Sequence, residues 1–195
     1  MKKKILLVIL CLHMIMYYSC CFAATSTEKT SSSSYVSNTL TVSNYAINFG
    51  QKLNAEVYTG PGYWYLRAAN GKAQFISQEF RFIGLDGDWL FVRCKVKGGL
   101  RYGYIDVSNY SNITRNVPQL NFSYKEGIIT RNTSLWDSMQ DHDIGPLVHL
   151  GAGSSVTYLG NFFEEYYRFA YIETEVYGQP VRGFVDLNCI QIMDE

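Results

Sequence analysis

The side chains best suited to chemistry in this chain are aromatic residues that gather in one part of the sequence. Aromatic faces bind sugar rings and peptide backbones through dispersion and CH contacts, and their OH and NH groups orient the ligand. The candidate ligand-binding residues are Tyr58, Tyr63, Trp64, Trp89 and Tyr104. The alternative is that these side chains fill the core of a small domain, which must use large residues for that purpose.

Residues for catalysis or metal binding do not form a matching set. A cysteine peptidase needs a nucleophile with a base in reach, and Cys94 falls in mid-strand while His142 and His149 fall in a polar loop. The run Asp141-His142-Asp143 resembles a metal site, but adjacent residues rarely converge on one ion without further ligands. We therefore expect no enzyme activity, no metal and no cofactor.

Residues 86–106 carry the clearest structural pattern and would position Trp89. The spacing predicts two strands, residues 89–96 and 100–107, joined by a tight turn at residues 97–99. Asp-Gly and Gly-Gly dipeptides flank the first strand, and both accept the positive φ angles that hairpin turns need. Period-two alternation separates an apolar face from a face of aromatic and cationic residues, namely Trp89, Phe91, Arg93 and Lys95. The pattern predicts a half-buried hairpin.

A related stretch returns near the C-terminus, which indicates two copies of one β unit. Tyr-Gly-Tyr-Ile-Asp at residues 102–106 is similar to Arg-Gly-Phe-Val-Asp at residues 182–186. Trp89 then aligns with Tyr166 or Tyr167, and we favour Tyr166, which leaves Tyr167, Phe169 and Tyr171 as the buried set.

Turn signals divide the rest of the chain. Residues 50–109 form repeat 1, residues 110–122 a linker, and residues 123–195 a divergent repeat 2 with a longer polar loop. Gly60-Pro61-Gly62 predicts a type II turn, in which Gly62 takes a positive φ. Short aromatic and β-branched segments at this spacing predict an all-β chain.

The N-terminus has the three parts of a secretory signal: lysines, a short apolar run and a small-residue cleavage site. Residues 1–23 therefore predict a signal peptide cleaved after Ala23, followed by a Ser/Thr-rich spacer and a candidate first strand at residues 24–49. An uncleaved anchor and a lipoprotein, through Cys20 or Cys21, are the alternatives. We expect a secreted or cell-wall-associated protein.

Charge and cysteine content narrow the partners. The chain has 17 Lys+Arg and 17 Asp+Glu, and loss of the signal lysines leaves it mildly acidic, with the basic excess in repeat 1 and the acidic excess in repeat 2. A nucleic-acid binder would show a continuous basic surface, so that class is disfavoured. Cys94 and Cys189 are either joined as one inter-repeat disulfide or free.

These motifs resemble those of bacterial SH3-like domains, the SH3b modules of exported Gram-positive proteins. The resemblance rests on residues 55–62, 70–73, 87–92 and 103–106, and it covers repeat 1 better than repeat 2, which lacks the Gly-Pro-Gly turn and the Trp. It implies two small SH3-like barrels in tandem that bind cell-wall peptidoglycan, often as accessories to a wall hydrolase. The implied groove lies between the first long loop and the hairpin that Trp89 opens.

Two functions follow as hypotheses. The first is a non-enzymatic protein that binds peptidoglycan or its peptide stems mainly through repeat 1. The second is an envelope protein-interaction or assembly module whose acidic repeat 2 docks a partner. For several other side chains, both a binding role and a structural role are open: Asp86, Asp88, Arg93, Lys95, Lys97, Arg101 and Trp136.

Overall fold

The computed structural model describes residues 39–50, 55–68, 79–96, 99–139, 145–164 and 167–193. The predicted signal peptide, most of the spacer and the Asp141-His142-Asp143 run lie outside the described residues. Within the described residues, no helix is long and apolar enough to cross a membrane.

Short strands rich in aromatic and β-branched residues make up most of the described chain. The first half contains β1 (Thr39–Leu40), β2 (Ala46–Asn48), β3 (Glu79–Asp86), β4 (Trp89–Val96) and β5 (Gly99–Asp106). A 3-10 helix (Ser108–Tyr110) and a short helix, α1 (Ser111–Thr114), follow β5. The second half contains β6 (Lys125–Ile129), β7 (Thr133–Leu135), β8 (Val148–Leu150), β9 (Ser155–Glu164), β10 (Tyr167–Val176), β11 (Gln179–Asp186), a 3-10 helix (Leu187–Cys189) and β12 (Ile190–Ile192).

Two mainly antiparallel sheets carry the fold, which confirms the all-β prediction. The sheet of repeat 1 has the order β2-β3-β4-β5, and the sheet of repeat 2 has the order β11-β10-β9-β6-β12. β7 and β8 pair as a separate ribbon. Among the described strands neither sheet closes on itself through hydrogen bonds, so the structure has open sheets where we expected small barrels.

Strand register shows which residues of the two repeats correspond. Trp89 on β4 lies opposite Asp106 on β5, and Phe169 on β10 lies opposite Asp186 on β11. Each aspartate accepts a hydrogen bond from the backbone two residues later, at the start of a 3-10 helix. Phe169 is therefore the counterpart of Trp89, and the expected correspondence with Tyr166 was wrong.

A shared aromatic core lies between the two sheets and joins them into the unit Ser37–Glu195. Phe91 of β4 stacks on Tyr104 at 4.5 Å between ring centroids and on Tyr171 of β10 at 5.0 Å. Phe162 and Phe184 of repeat 2 complete this core. The aromatic and cationic face of β4 was not expected to form core, but it packs against the other repeat and the Phe91 side chain is fully buried.

A buried arginine adds a polar connection beside the shared core. Arg182 of β11 pairs with Asp86 of repeat 1 and with Glu173 of β10, each at 2.7 Å. Tyr65 of repeat 1 donates its hydroxyl proton to Glu173 at 2.7 Å. Burial works to lower the pKa of Arg182, but the neighbouring Tyr104, Tyr171 and Tyr65 and the bond to Glu173 outweigh it and raise the pKa, so the guanidinium stays charged.

The N-terminal segment and the linker both pack against the sheets. β1 pairs in parallel with β9 of repeat 2, whereas β2 pairs with β3 of repeat 1. The linker runs beside β3, where the amide of Leu85 donates to the carbonyl of Pro118 and the amide of Leu120 donates to the carbonyl of Leu85. Gly84 allows this approach, since a Cβ there would lie 2.6 Å from the Leu120 side chain.

The two cysteines of the described chain are free thiols. Of the two alternatives drawn from the sequence, the structure therefore contains the unbridged one. The Cys94 thiol donates to the carbonyl of Arg101 at 3.5 Å, and the Cys189 sulfur accepts from Arg131 at 3.1 Å. Burial raises the pKa of Cys94 to about 12, which keeps this sulfur protonated at neutral pH.

Candidate functional site

The rings of three candidate binding residues lie against one another in repeat 1. The ring centroids of Tyr58 and Tyr63 are 5.6 Å apart, those of Tyr58 and Trp89 5.6 Å, and those of Tyr63 and Trp89 4.9 Å, all in edge-to-face geometry. Trp64 follows on the same loop. We refer to Tyr58, Tyr63, Trp64 and Trp89 as the aromatic platform.

Exposure divides the aromatic platform into two ligand-accessible and two supporting side chains. Tyr63 is 64% exposed and Trp64 is 65% exposed, whereas Tyr58 is buried and Trp89 is half-buried. Trp89 also packs against the shared core. A ligand would therefore contact Tyr63 and Trp64 first. The rings of Tyr58 and Trp89 hold the Tyr63 ring in place, and the Trp64 ring lies beside that of Tyr65.

Backbone pairing fixes the loop that carries Tyr63 and Trp64. Tyr58 and Tyr104 exchange two backbone hydrogen bonds, of 2.9 and 2.7 Å, which anchor the loop on β5. Thr59 then donates its amide proton to the carbonyl of Leu66 at 2.8 Å and closes the loop. Gly103 permits the backbone pairing of Tyr58 with Tyr104, because a Cβ at Gly103 would lie 2.9 Å from the carbonyl oxygen of Tyr58.

The glycines at the tip of the loop have a different role from the one we expected. Gly62 does not have a positive φ, so the predicted type II turn is absent. A Cβ at Gly62 would instead lie 2.5 Å from the indole ring of Trp64, and a Cβ at Gly60 would collide with the ring of Tyr65. These glycines make room for aromatic rings that fold back over the turn.

Polar groups border the aromatic platform. The hydroxyl of Tyr63 donates to Asp106, and this bond raises the pKa of Tyr63 to about 12. Burial works to raise the pKa of Asp106, but the hydrogen bonds from Tyr63 and Ser108 outweigh it and lower the pKa. On the other side, Glu56 accepts from the Tyr58 hydroxyl at 2.6 Å.

The lowered pKa of Asp106 predicts a pH effect on stability. Its ionised form contributes stability above the ordinary carboxyl pKa of 3.8, and this contribution is lost as the pH falls through the lowered value. Between about pH 5 and pH 2, the melting temperature of the wild-type chain is expected to fall more than that of Asp106→Asn. Thermal unfolding followed by circular dichroism measures the difference, and identical pH profiles would argue against this role of Asp106.

Tyr104 lies outside the aromatic platform, contrary to the expectation that it lines a groove. Its side chain is fully buried in the shared core. Its hydroxyl lies 3.3 Å from Arg182 and 3.5 Å from the hydroxyl of Tyr171, both in repeat 2. Tyr104 therefore supports the contact between the repeats and is closed to a ligand.

The remaining residues singled out from the sequence have mostly structural partners. Asp86 pairs with Arg182, and the buried Arg101 lies 3.4 Å from Asp137. Asp88 is exposed and its carbonyl accepts the amide proton of Val107. Trp136 forms an isolated backbone β-bridge with Phe184, and Tyr58 forms one with Tyr104. Trp136 is therefore the repeat 2 counterpart of Tyr58. The side chains of Lys95 and Lys97 and the residue His142 lie outside the described part of the structure.

Sequence reasoning missed Glu56, Arg67 and the contact of Asp106 with Tyr63. Arg67 and Glu56 form an ion pair of 2.7 Å at the edge of the aromatic platform, and both side chains are about half exposed. The repeated Gly-aromatic-aliphatic-Asp motif was visible in the sequence, but its pairing with Tyr63 depends on loop geometry.

Comparison with known proteins adds little to this geometry. No protein-family model matches the chain, and no curated protein matches it. Among solved structures, NlpC2 from Trichomonas vaginalis aligns with a TM-score of 0.29 and 14% sequence identity, over 79% of this chain and 48% of that chain. The chain thus spans about half the length of that protein. At this TM-score the alignment establishes neither a shared fold nor a shared activity, and the SH3b relationship remains a resemblance of sequence motifs.

Proposed function

We propose that this chain is an exported, non-enzymatic binding protein that recognises cell-wall peptidoglycan or its peptide stems through the aromatic platform of repeat 1. The observation that carries the proposal is the exposure of two consecutive aromatic residues, Tyr63 and Trp64, which have most of their surface open to solvent. Large aromatic side chains are normally buried, so adjacent exposed ones on an ordered loop are typical of a binding surface.

The polar border suits a ligand that combines apolar and amide surfaces. Sugar rings and peptide backbones stack on aromatic faces, while carboxylates such as Asp106 and Glu56 accept hydrogen bonds from amide or amine protons. The loop is closed by backbone hydrogen bonds and supported by Trp89, so little ordering entropy is lost when a ligand binds.

A binding role also suits the state of the thiol nearest to the aromatic platform in sequence. Cys94 is engaged with a backbone carbonyl and its pKa is raised to about 12, whereas a nucleophilic cysteine needs a lowered pKa and a base in reach. His149 contacts Ser134 at 2.9 Å within the β7–β8 ribbon. We therefore assign neither residue a catalytic role.

Retention on purified, protein-free cell-wall sacculi tests the proposal. The double variant Tyr63→Ala/Trp64→Ala is expected to lose at least about tenfold in affinity, since each exposed ring supplies on the order of 1 kcal/mol or more of contact energy. The matched control is Tyr177→Ala, which removes a fully exposed tyrosine of repeat 2. Both variants should keep the wild-type circular dichroism spectrum.

Three outcomes count against the proposal. The wild-type chain fails to sediment with sacculi, the double variant sediments as well as the wild type, or the control loses binding equally. Trp89→Ala is a less suitable test, because Trp89 also packs against the shared core and its removal would disturb the fold.

One observation favours the second candidate, an envelope protein-interaction module that uses repeat 2. An open groove of about 550 Å³ crosses that sheet. Its lining includes three carboxylates, Glu126, Glu173 and Glu175, against one cation, Lys125, and the exposed Tyr124. Acidic and aromatic side chains of this kind suit a basic segment of a protein partner. Retention by envelope fractions that contain protein, without retention by protein-free sacculi, would favour this candidate over the first.

A further inference from the structure

A cavity on the face of repeat 1 that meets repeat 2 carries two arginines on one wall. Its volume is about 240 Å³, roughly eight times the ~30 Å³ that one water molecule occupies in the liquid. Arg81 of β3 and Arg93 of β4 line it together with Thr41 and Asn44 from the segment between β1 and β2. Met139 and Phe162 of repeat 2 form an apolar side.

The two arginines are direct cross-strand neighbours. Arg81 lies opposite Arg93 in the β3–β4 register, and side chains in such positions start about 4.5–5.5 Å apart. Arg93 makes a further interaction within the fold, but a guanidinium has five donors and can serve a second group as well. An anion between the two guanidinium groups can therefore accept hydrogen bonds from both.

The surroundings of the pair add hydrogen-bond donors. Thr41 supplies a hydroxyl group and Asn44 an amide group. Among the side chains that the structure describes, no carboxylate lines the cavity. The apolar side lowers the local dielectric constant and strengthens charge-assisted bonds.

We propose that this cavity binds a phosphate group between Arg81 and Arg93. Two arginine forks match the oxygens of a phosphate and can each form paired hydrogen bonds with it. The phosphate can be free inorganic phosphate or part of a phosphodiester polymer, since both present the same oxygens. The site lies apart from the aromatic platform and does not depend on the function proposed for it.

Thermal unfolding of the whole chain in inorganic phosphate, against chloride at equal ionic strength, tests the site. A ligand that binds only the folded chain raises the melting temperature in a saturable way, and we expect this for phosphate. Arg81→Gln and Arg93→Gln are each expected to raise the half-saturating phosphate concentration by about tenfold or more, because each variant loses one charge-assisted contact. Arg115→Gln, at an exposed arginine outside the cavity, is the control for net charge.

The melting temperature in chloride distinguishes an arginine that binds a ligand from one that only stabilises the fold. In chloride alone, Arg81→Gln is expected to melt close to the wild-type temperature, because Arg81 is exposed and surface substitutions usually change stability little. Glycerol phosphate oligomers, tested beside inorganic phosphate, identify the source, and saturable stabilisation by either supports the site. No phosphate-specific rise in the wild type, or an unchanged rise in Arg81→Gln, would overturn the proposal. Arg81→Gln carries the test alone if Arg93→Gln does not fold, since Arg81 is exposed.

Discussion

Arg182→Met is expected to lower the free energy of unfolding by about 3–5 kcal/mol, because it leaves two carboxylates without their partner in a mostly buried site. The Arg182 side chain is 3% exposed, and Asp86 and Glu173 are 23% and 26% exposed. Its guanidinium also lies within 5.1–5.7 Å of the ring centroids of Phe122, Tyr65 and Tyr104. Urea unfolding followed by circular dichroism measures the loss.

Two controls show whether the uncompensated carboxylates cause that loss. Arg131→Met removes a surface ion pair with Asp186, 3.7 Å long, and a bond to the Cys189 sulfur, and it should cost much less than Arg182→Met. Adding Asp86→Asn and Glu173→Gln to Arg182→Met should restore part of the stability, since no unpaired charge remains. An Arg182→Met chain as stable as the wild type would refute the role assigned to this arginine.

Phe91→Ala is expected to cost about 3–5 kcal/mol, the usual range for an aromatic ring removed from a packed core. Phe91 stacks between a ring of its own repeat and a ring of the other, so the loss weakens both repeats together. We expect one unfolding transition in both the wild type and the variant. Trp64 and Trp89 report on repeat 1, and Trp136 reports on repeat 2. Variants that each keep only one of these tryptophans should therefore show coincident unfolding transitions when they are followed by fluorescence.

Tyr177→Ala provides the comparison for Phe91→Ala, because Tyr177 is fully exposed. Its effect should remain within about 0.5 kcal/mol, as for most surface changes. Separate transitions of the two repeats, or a Phe91→Ala effect as small as that of Tyr177→Ala, would contradict the shared core.

Local patterns in the sequence were sufficient to predict the central hairpin of repeat 1. The predicted strand at residues 89–96 coincides with β4, and Gly87 has the positive φ that the Asp-Gly turn required. These features depend on side-chain alternation and on the backbone freedom of single residues. The clustering of Tyr58, Tyr63 and Trp89 was also predictable, because the loop and the hairpin are neighbours in one small sheet.

Contacts between distant parts of the chain were not predictable in this way. The second face of β4 carries Phe91, and its burial depends on Tyr171, which lies 80 positions later. The same holds for Tyr104, whose aromatic character suits both an open groove and a buried interface. The role of Gly62 was also predicted wrongly. A glycine is needed there because the Trp64 ring packs against it, and not because the backbone has a positive φ.

The most direct test of the account is the tryptophan emission of the chain during titration with soluble peptidoglycan fragments that carry the peptide stem. Trp64 is 65% exposed, so a ligand on the aromatic platform must change its environment. We predict a saturable emission change in the wild type and in Trp136→Phe, and a clearly smaller one in Trp64→Phe. No change in the wild type, or an undiminished change in Trp64→Phe, would contradict the account.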